Sequence, residues 1–194
     1  GKVPGDTGYD PTYDLDGSDE VDLGDFFIFA DNFGRTGGAA VIPDPPGPGP
    51  GPYDNANVVL SLDTPTEISG VAGGATVDVI LSAAGLVGVK QFSITLKVSP
   101  ADAFDLPVTT FAHNTAQFTV SPGVEFPAVD QVMSGAAGFF AAVDGDALLG
   151  TFSLRTSAAF GTDNEAIIEA VRFTAGPSST EQDVFLDADL DLTV

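Results

Sequence analysis

From residue 57 onward, apolar and polar side chains alternate in short runs separated by Gly, Pro, Asn and Asp, the pattern of half-buried β-strands. The clearest run is 91–98, where Phe92, Ile94, Leu96 and Val98 share one face and Gln91, Ser93, Thr95 and Lys97 the other. Only the first of these faces suits a core. With further runs at 58–62, 76–81, 89–98, 117–120, 138–143, 148–155, 167–173, 184–186 and 190–194, the spacing predicts a mainly β region of two stacked antiparallel sheets, a sandwich or jelly roll. Helix there is expected to be limited to a turn near 100–104.

Near the start of the chain the period changes. Phe26, Phe29, Ala30 and Phe33 recur at i, i+3, i+4 and i+7, which predicts an amphipathic helix closed by Gly34. So short a helix cannot by itself bury Phe26, Phe27, Phe29 and Phe33. These rings are therefore the candidate partner-binding residues, docking either on the sandwich of the same chain or into another protein, and the sequence leaves both open.

Immediately before that helix stands Asp14-Leu-Asp-Gly-Ser-Asp-Glu-Val-Asp-Leu-Gly-Asp25. Oxygen-bearing side chains fall at loop positions 1, 3, 5, 9 and 12 (Asp14, Asp16, Ser18, Asp22, Asp25), and Glu20 at position 7 would offer its backbone carbonyl. This is the EF-hand spacing that wraps a chain around one Ca²⁺. Crowded carboxylates repel one another, and a bound divalent ion lets them share a compact loop. Val21 would turn inward as an apolar pin. Two positions depart from the pattern: Asp19 stands where the sharp turn usually takes Gly, and Asp25 reaches less far than the usual Glu. Asp6 and Asp10 are additional ligand candidates. Without a metal the same stretch reads as a solvated acidic loop in which Asp22 caps the helix and Asp25 favours its N-terminal dipole.

From residue 36 the chain turns Gly-rich, and Pro43-Asp-Pro-Pro-Gly-Pro-Gly-Pro-Gly-Pro52 follows. Prolines this dense forbid helix and sheet and favour a polyproline-like spacer of about 3.1 Å per residue, while the glycines keep it from being a rod. The expected organisation is an acidic loop and helix with its N-terminal arm at 1–35, a linker at 36–56 and a β-sandwich at 57–194.

The pattern D-x-D-x-S-x-x-V-D-x-x-D of residues 14–25, followed by an apolar helix, resembles one calcium-binding repeat of a dockerin, the small module that plugs into cohesin domains of bacterial extracellular assemblies. The likeness covers about residues 10–35. The glycine-led strand at 71–81, the long alternating strand of 85–104 and the glycine-flanked stretch 138–154 resemble a cohesin domain, over nearly all of 57–194. The resemblances imply a cohesin-like jelly-roll β-sandwich with a small EF-hand-like calcium loop and helix. They also imply a protein partner, the cohesin-like domain of another copy or of a related protein, and from there a head-to-tail homopolymer.

Composition narrows the partners. The formal net charge is −22, from 28 acidic and 6 basic residues, so nucleic acid and anionic membrane surfaces would be repelled and divalent cations attracted. There is no Cys, and no run of apolar residues is long enough to span a membrane. A chain that begins at Gly1 rather than Met is expected to have lost a leader, either a signal segment or an artificial one, and the sequence leaves both open. Because loops of this kind fill readily at millimolar calcium, the expected location is outside the cell, secreted or at the cell surface.

Candidate catalysis is thin. His113, the single histidine, has no nearby nucleophile and is expected in a loop; Glu67, Glu125, Glu165, Glu169 and Glu181 show no spacing that marks a pair. Asp144-Gly-Asp146 is expected at a hairpin turn, and Asp183, Asp187, Asp189 and Asp191 crowd the C-terminus as weaker second-metal candidates. The function expected is non-catalytic, calcium-dependent protein–protein interaction and scaffolding, and the alternative is a carbohydrate-binding or adhesin module with a calcium-stabilised N-terminus.

Overall fold

The computed structural model describes residues 1–32, 58–63, 66–187 and 190–193. Phe33, Gly34 and the spacer expected at 36–56 lie outside the described residues. The strands are β1 (Val59–Leu62), β2 (Glu67–Ser69), β3 (Thr76–Val89), β4 (Gln91–Ser99), β5 (Thr110–His113), β6 (Val124–Glu125), β7 (Gln131–Ala137), β8 (Val143–Arg155), β9 (Glu165–Gly176), β10 (Asp183–Leu186) and β11 (Asp191–Thr193). One helix, α1 (Leu23–Asn32), precedes them.

The strands form two sheets, ordered β11-β1-β3-β8-β5 and β10-β9-β4-β7-β6, with β2 pairing the start of β9 on the edge that β10 occupies further along. The expected sandwich is present. Its pairings are antiparallel except that β1 and β11 run parallel, Leu60 opposite Leu192.

Between the sheets lies a single apolar core. Phe92, at the centre of β4, packs edge-on to Phe118 with centroids 4.8 Å apart and lies 6.4 Å from both Phe111 and Phe173. Alternation does what it predicts in β4, since Phe92, Ile94, Leu96 and Val98 all face inward and are almost fully buried. Every residue of the core cluster comes from position 58 or later, so the sandwich has a core of its own.

Several local expectations differ. The run at 76–81 continues to Val89, because β3 bends through bulges opposite β8 instead of turning back. Gly85 and Gly88 supply positive φ there (73° and 64°), and the Asp144-Gly-Asp146 triplet sits inside β8 across the bulge, where Asp144 accepts from the Gly88 amide at 2.8 Å. It is not a hairpin turn. Residues 138–142 leave the sheet: Gly138 donates to the Lys90 carbonyl at 2.6 Å, and Phe140 beyond it is 88% exposed. Of the run 117–120 only Val120 pairs, in an isolated bridge to Ala137, while the turn at 115–117 drops Phe118 into the core. His113 ends β5 and is not in a loop.

The two outer faces are unlike. Along β3 and β8 of the first sheet, buried and exposed positions alternate, as they do when water covers the outer face. In β4 of the second sheet every residue from Gln91 to Leu96 is buried, so both faces are covered. What covers the outer face is the N-terminal segment.

Candidate functional site

The acidic loop folds around its own carboxylates. Asp25, only 4% exposed, accepts the Leu15 and Asp16 amides on one oxygen (2.5 and 3.3 Å) and the Asp22 amide on the other (2.7 Å). Asp14 accepts from the Ser18 and Asp19 amides at 3.1 and 2.9 Å, and Asp16 accepts from Ser18 at 3.0 Å. Asp19 takes φ +65°, the left-handed turn that position 6 of such a loop requires and that Asp tolerates better than most residues. Val21 is tied back to the arm by paired backbone bonds with Lys2, 2.7 and 2.9 Å. The arm is thus a strand-like brace for the loop.

Asp14, Asp16 and Asp25 each offer an oxygen within 4.8 Å of the others. That span matches opposite ligands of a Ca²⁺, whose bonds to oxygen run about 2.3–2.6 Å. Were all three ionised, each pair would repel by about 3 kcal/mol at an effective dielectric of 20. The donor set, all hard oxygen, suits calcium and not a soft metal. Ser18 and Glu20 stand beside the cluster, with the Ser18 hydroxyl donating to the Glu20 carbonyl at 3.2 Å. Asp22 lies outside the three-carboxylate group and accepts the Gly24 amide at 2.7 Å. Burial pushes its carboxyl up, the Gly24 amide pulls it down, and the carboxylates of Asp25, Glu20 and Asp16 push it up again. Asp10 caps the short 3-10 turn Pro11–Tyr13 through the Thr12 amide, and Asp6 accepts from Val3; neither joins the cluster. Among the described residues no second group of three carboxylates converges, at Asp144 and Asp146 or near Asp183.

The loop launches α1, and its buried face is not the stripe that periodicity picks out. Leu23, Phe27 and Ile28 are buried, Phe26 is half-buried edge-on to Phe27, and Phe29 is 49% exposed. Contacts at both ends show where the helix lies. At its start the Leu23 backbone lies beside the Glu125 carboxyl of β6, close enough to favour its charged form. At its end Asp31 receives the Gln91 side-chain amide at 2.8 Å on one oxygen and both the amide (2.7 Å) and hydroxyl of Ser179 on the other. Gln91 begins β4 and Ser179 lies in the β9–β10 connection. A ten-residue helix is about 15 Å long, which is roughly three strand spacings, so α1 crosses the outer face from β6 over β7 and β4 to β9.

The middle of that face is floored by small side chains, with Met133 and Arg172 flanking Thr95, and Gln91 at the far end. Ser93 and Thr95 of β4, Gly135 and Ala137 of β7, and Thr174 and Gly176 of β9 share it by register, and all are buried. The Ser93 and Thr174 hydroxyls satisfy each other at 2.8 Å, so neither needs a partner from above the sheet. The signal for this floor is in the sequence, in the polar but short outer residues of 91–97. Asp31, Gln91 and Ser179 are too far apart in the chain for any spacing to connect them.

Glu125 gives the seam a pH dependence. Burial raises its carboxyl above the ordinary value; the N-terminal ammonium of Gly1 opposes the rise, Asp22 and Glu20 add to it, and the Leu23 amide opposes it. A carboxyl raised in the folded state stabilises that state most below its ordinary value, and the contribution is lost as pH rises through the raised one. In calcium-free protein, hydrogen-exchange protection of residues 23–31 is therefore expected to fall as pH climbs from about 4.5 toward neutrality. Glu125→Gln should flatten that slope; an unchanged slope in the variant would assign it elsewhere.

No family model and no curated protein matches this chain. Solved structures do. A cohesin module of a family 33 glycoside hydrolase from Clostridium perfringens overlaps 66% of this chain and 90% of its own length at 14% identity and a TM-score of 0.51. The sixth cohesin of Acetivibrio cellulolyticus scaffoldin B, solved in complex with a Cel5 dockerin mutant, overlaps 70% and 94% at 15% identity with a TM-score of 0.48. A type III cohesin module from the cell-surface anchoring scaffoldin ScaE of Ruminococcus flavefaciens overlaps 73% and 98% at 14% identity, TM-score 0.45. The likeness to the Clostridium module shows that the sandwich is cohesin-like in fold.

Proposed function

We propose that this chain is a non-catalytic, calcium-dependent protein–protein interaction and scaffolding protein of the cell exterior. Its dockerin-like N-terminal segment is the plug, and the outer face of β10-β9-β4-β7-β6 is the socket. The observation that carries this reading is the seam itself, where a helix ordered by an acidic loop lies across one face of a cohesin-like sandwich and is latched by Asp31. The core is complete without the helix, so the plug can leave without unfolding the socket.

Asp31 of α1 bonds Gln91 and Ser179 of its own chain, which supports the reading of a helix that docks on this face. The same contacts made with a second copy would link molecules head to tail, and such a heterologous contact grows open filaments. Calcium, held by Asp14, Asp16 and Asp25 with Ser18, Glu20 and Asp22 alongside, would supply the positive charge that lets the loop stay closed and α1 stay presented. Catalysis has no support in the placement of the acids: Glu67, Glu165, Glu169 and Glu181 are exposed, and Glu125 is engaged at the seam.

Sedimentation and negative-stain microscopy over a range of protein concentrations, with calcium and with chelator, test the exchange. Calcium-dependent oligomers that grow with concentration are expected; discrete monomers under every condition would rule out self-assembly. Asp31→Ala separates the latch from the metal loop. It leaves the Gln91 amide and both Ser179 donors without their acceptor, and is expected to weaken docking by about 2–3 kcal/mol while the sandwich keeps its own unfolding transition. Exchange of the α1 amides reads the first effect and calorimetric melting the second.

A further inference from the structure

The helix leaves one corner of its face uncovered. It starts beside Glu125 of β6, in register with Met133 and Thr95, and ends at Gln91 and Ser179, by the Gly176 end of β9. Arg172 stands four residues back along β9, about 13 Å from that end, with Thr95 on one side and Leu186 on the other. Val184, beside Thr174, is 2% exposed, whereas Leu186 and Ile167 on the same face are 40% and 41% exposed. The edge of the helix's cover therefore passes beside Arg172.

In a chain with 28 acidic residues, Arg172 is half-buried and makes no hydrogen bond or ion pair with any described residue. Burial alone pulls its guanidinium down from the ordinary range, with no carboxylate to oppose it. Glu169, the nearest acid by register on that face, is exposed and lies opposite Lys97, whose ammonium is 4.0 Å from Asp130. A guanidinium presents a planar fork of donors that a carboxylate fills with two parallel bonds.

We infer that this corner is a docking surface for a polypeptide segment that brings one carboxylate to Arg172 and apolar side chains to Leu186 and Ile167. An arginine set between exposed aliphatic residues is the composition of an interface centre. A polyanion is disfavoured, because a net charge of −22 repels it at long range, while one carboxylate among apolar residues meets the local cation at far less cost. The corner belongs to the sandwich alone. It therefore depends neither on calcium nor on exchange of α1 between copies.

Selection of random dodecapeptides displayed on phage against the full chain, then calorimetric titration of the selected sequences as amidated peptides, is the test, with inorganic phosphate as the small-anion comparison. Peptides enriched in a single Asp or Glu beside Leu, Ile, Val or Phe are expected. Arg172→Met keeps the packing of the stem and removes the fork, and should weaken their binding at least tenfold; Arg172→Lys should weaken it less. Neither variant should alter exchange of the α1 amides, whose latch is Asp31, so this result stands apart from that of the docked helix. With no acceptor to lose, Arg172→Met should also melt no lower than the unmutated chain. The inference is overturned by a library that yields no binder, by binders without an enriched acid, by equal binding to Arg172→Met, or by phosphate binding as tightly as the peptides. A fall of more than about 4 °C in the melting temperature of Arg172→Met would overturn it too, by making the arginine a part of the fold.

Discussion

Asp25→Ala is expected to abolish the heat of calcium binding and to release residues 1–32 from the sandwich. Asp25 is the hinge of the loop: it meets Asp14 and Asp16 at the three-carboxylate cluster and also accepts three backbone amides from Leu15, Asp16 and Asp22. Bonds to a charged acceptor are worth about 1.5–3 kcal/mol each, so even allowing for non-additivity the loop loses about 3 kcal/mol before any metal is counted. In the unmutated protein, calcium at 100 times its dissociation constant would add about 2.7 kcal/mol to that segment. Asp25→Asn keeps an acceptor oxygen and loses the charge, and should bind calcium more than tenfold more weakly while retaining part of the apo fold. Titration calorimetry on stripped protein, paired with hydrogen exchange at Phe27 and Ile28, measures both. No calcium heat in the unmutated chain, or unaltered exchange in Asp25→Ala, would remove the metal loop from the account.

The second large effect lies in the sandwich. Phe92→Ala is expected to destabilise it by about 3–5 kcal/mol, because Phe92 is 0% exposed and touches rings from three different parts of the chain, Phe111, Phe118 and Phe173. For a domain of this size the melting temperature should drop by about 10–20 °C. Phe140→Ala is the matched control, since that ring is 88% exposed and its loss should stay within about 0.5 kcal/mol. Comparable losses in the two variants would mean that the core is not where burial places it. Together with Asp25→Ala, these variants also separate the two parts of the chain: one should lose the N-terminal segment with the sandwich intact, and the other should lower the main transition.

Strand positions were readable where alternation is strict, as in 91–98, and unreadable where it fails for a physical reason. Residues 131–137 read Gln-Val-Met-Ser-Gly-Ala-Ala, and most are buried because β7 has the core on one side and α1 on the other. A strand covered on both faces keeps a period of two only where its outer residues stay polar, as Gln91, Ser93 and Thr95 do in β4; in β7 the outer Gly135 and Ala137 erase it. The apolar stretch around Phe139 and Phe140 errs the other way, carrying hydrophobic residues outside every strand of the described residues. In α1 Phe26, Phe29 and Ala30 do share a helical stripe, yet Leu23, Phe27 and Ile28 are the buried set. Periodicity marks which residues share a face. The floor beneath decides which face is used.

The sequence by itself determined the class of fold, the inward set of the central strand and the acidic loop in register ahead of a helix, because each depends on residues close together in the chain. Only the tertiary structure decided that the helix lies on the sandwich of its own chain, which of its sides is buried, and that Asp31, Gln91 and Ser179 meet at one latch. Those contacts join residues 60 and 148 positions apart, and no local spacing encodes a meeting that strand order and sheet stacking create.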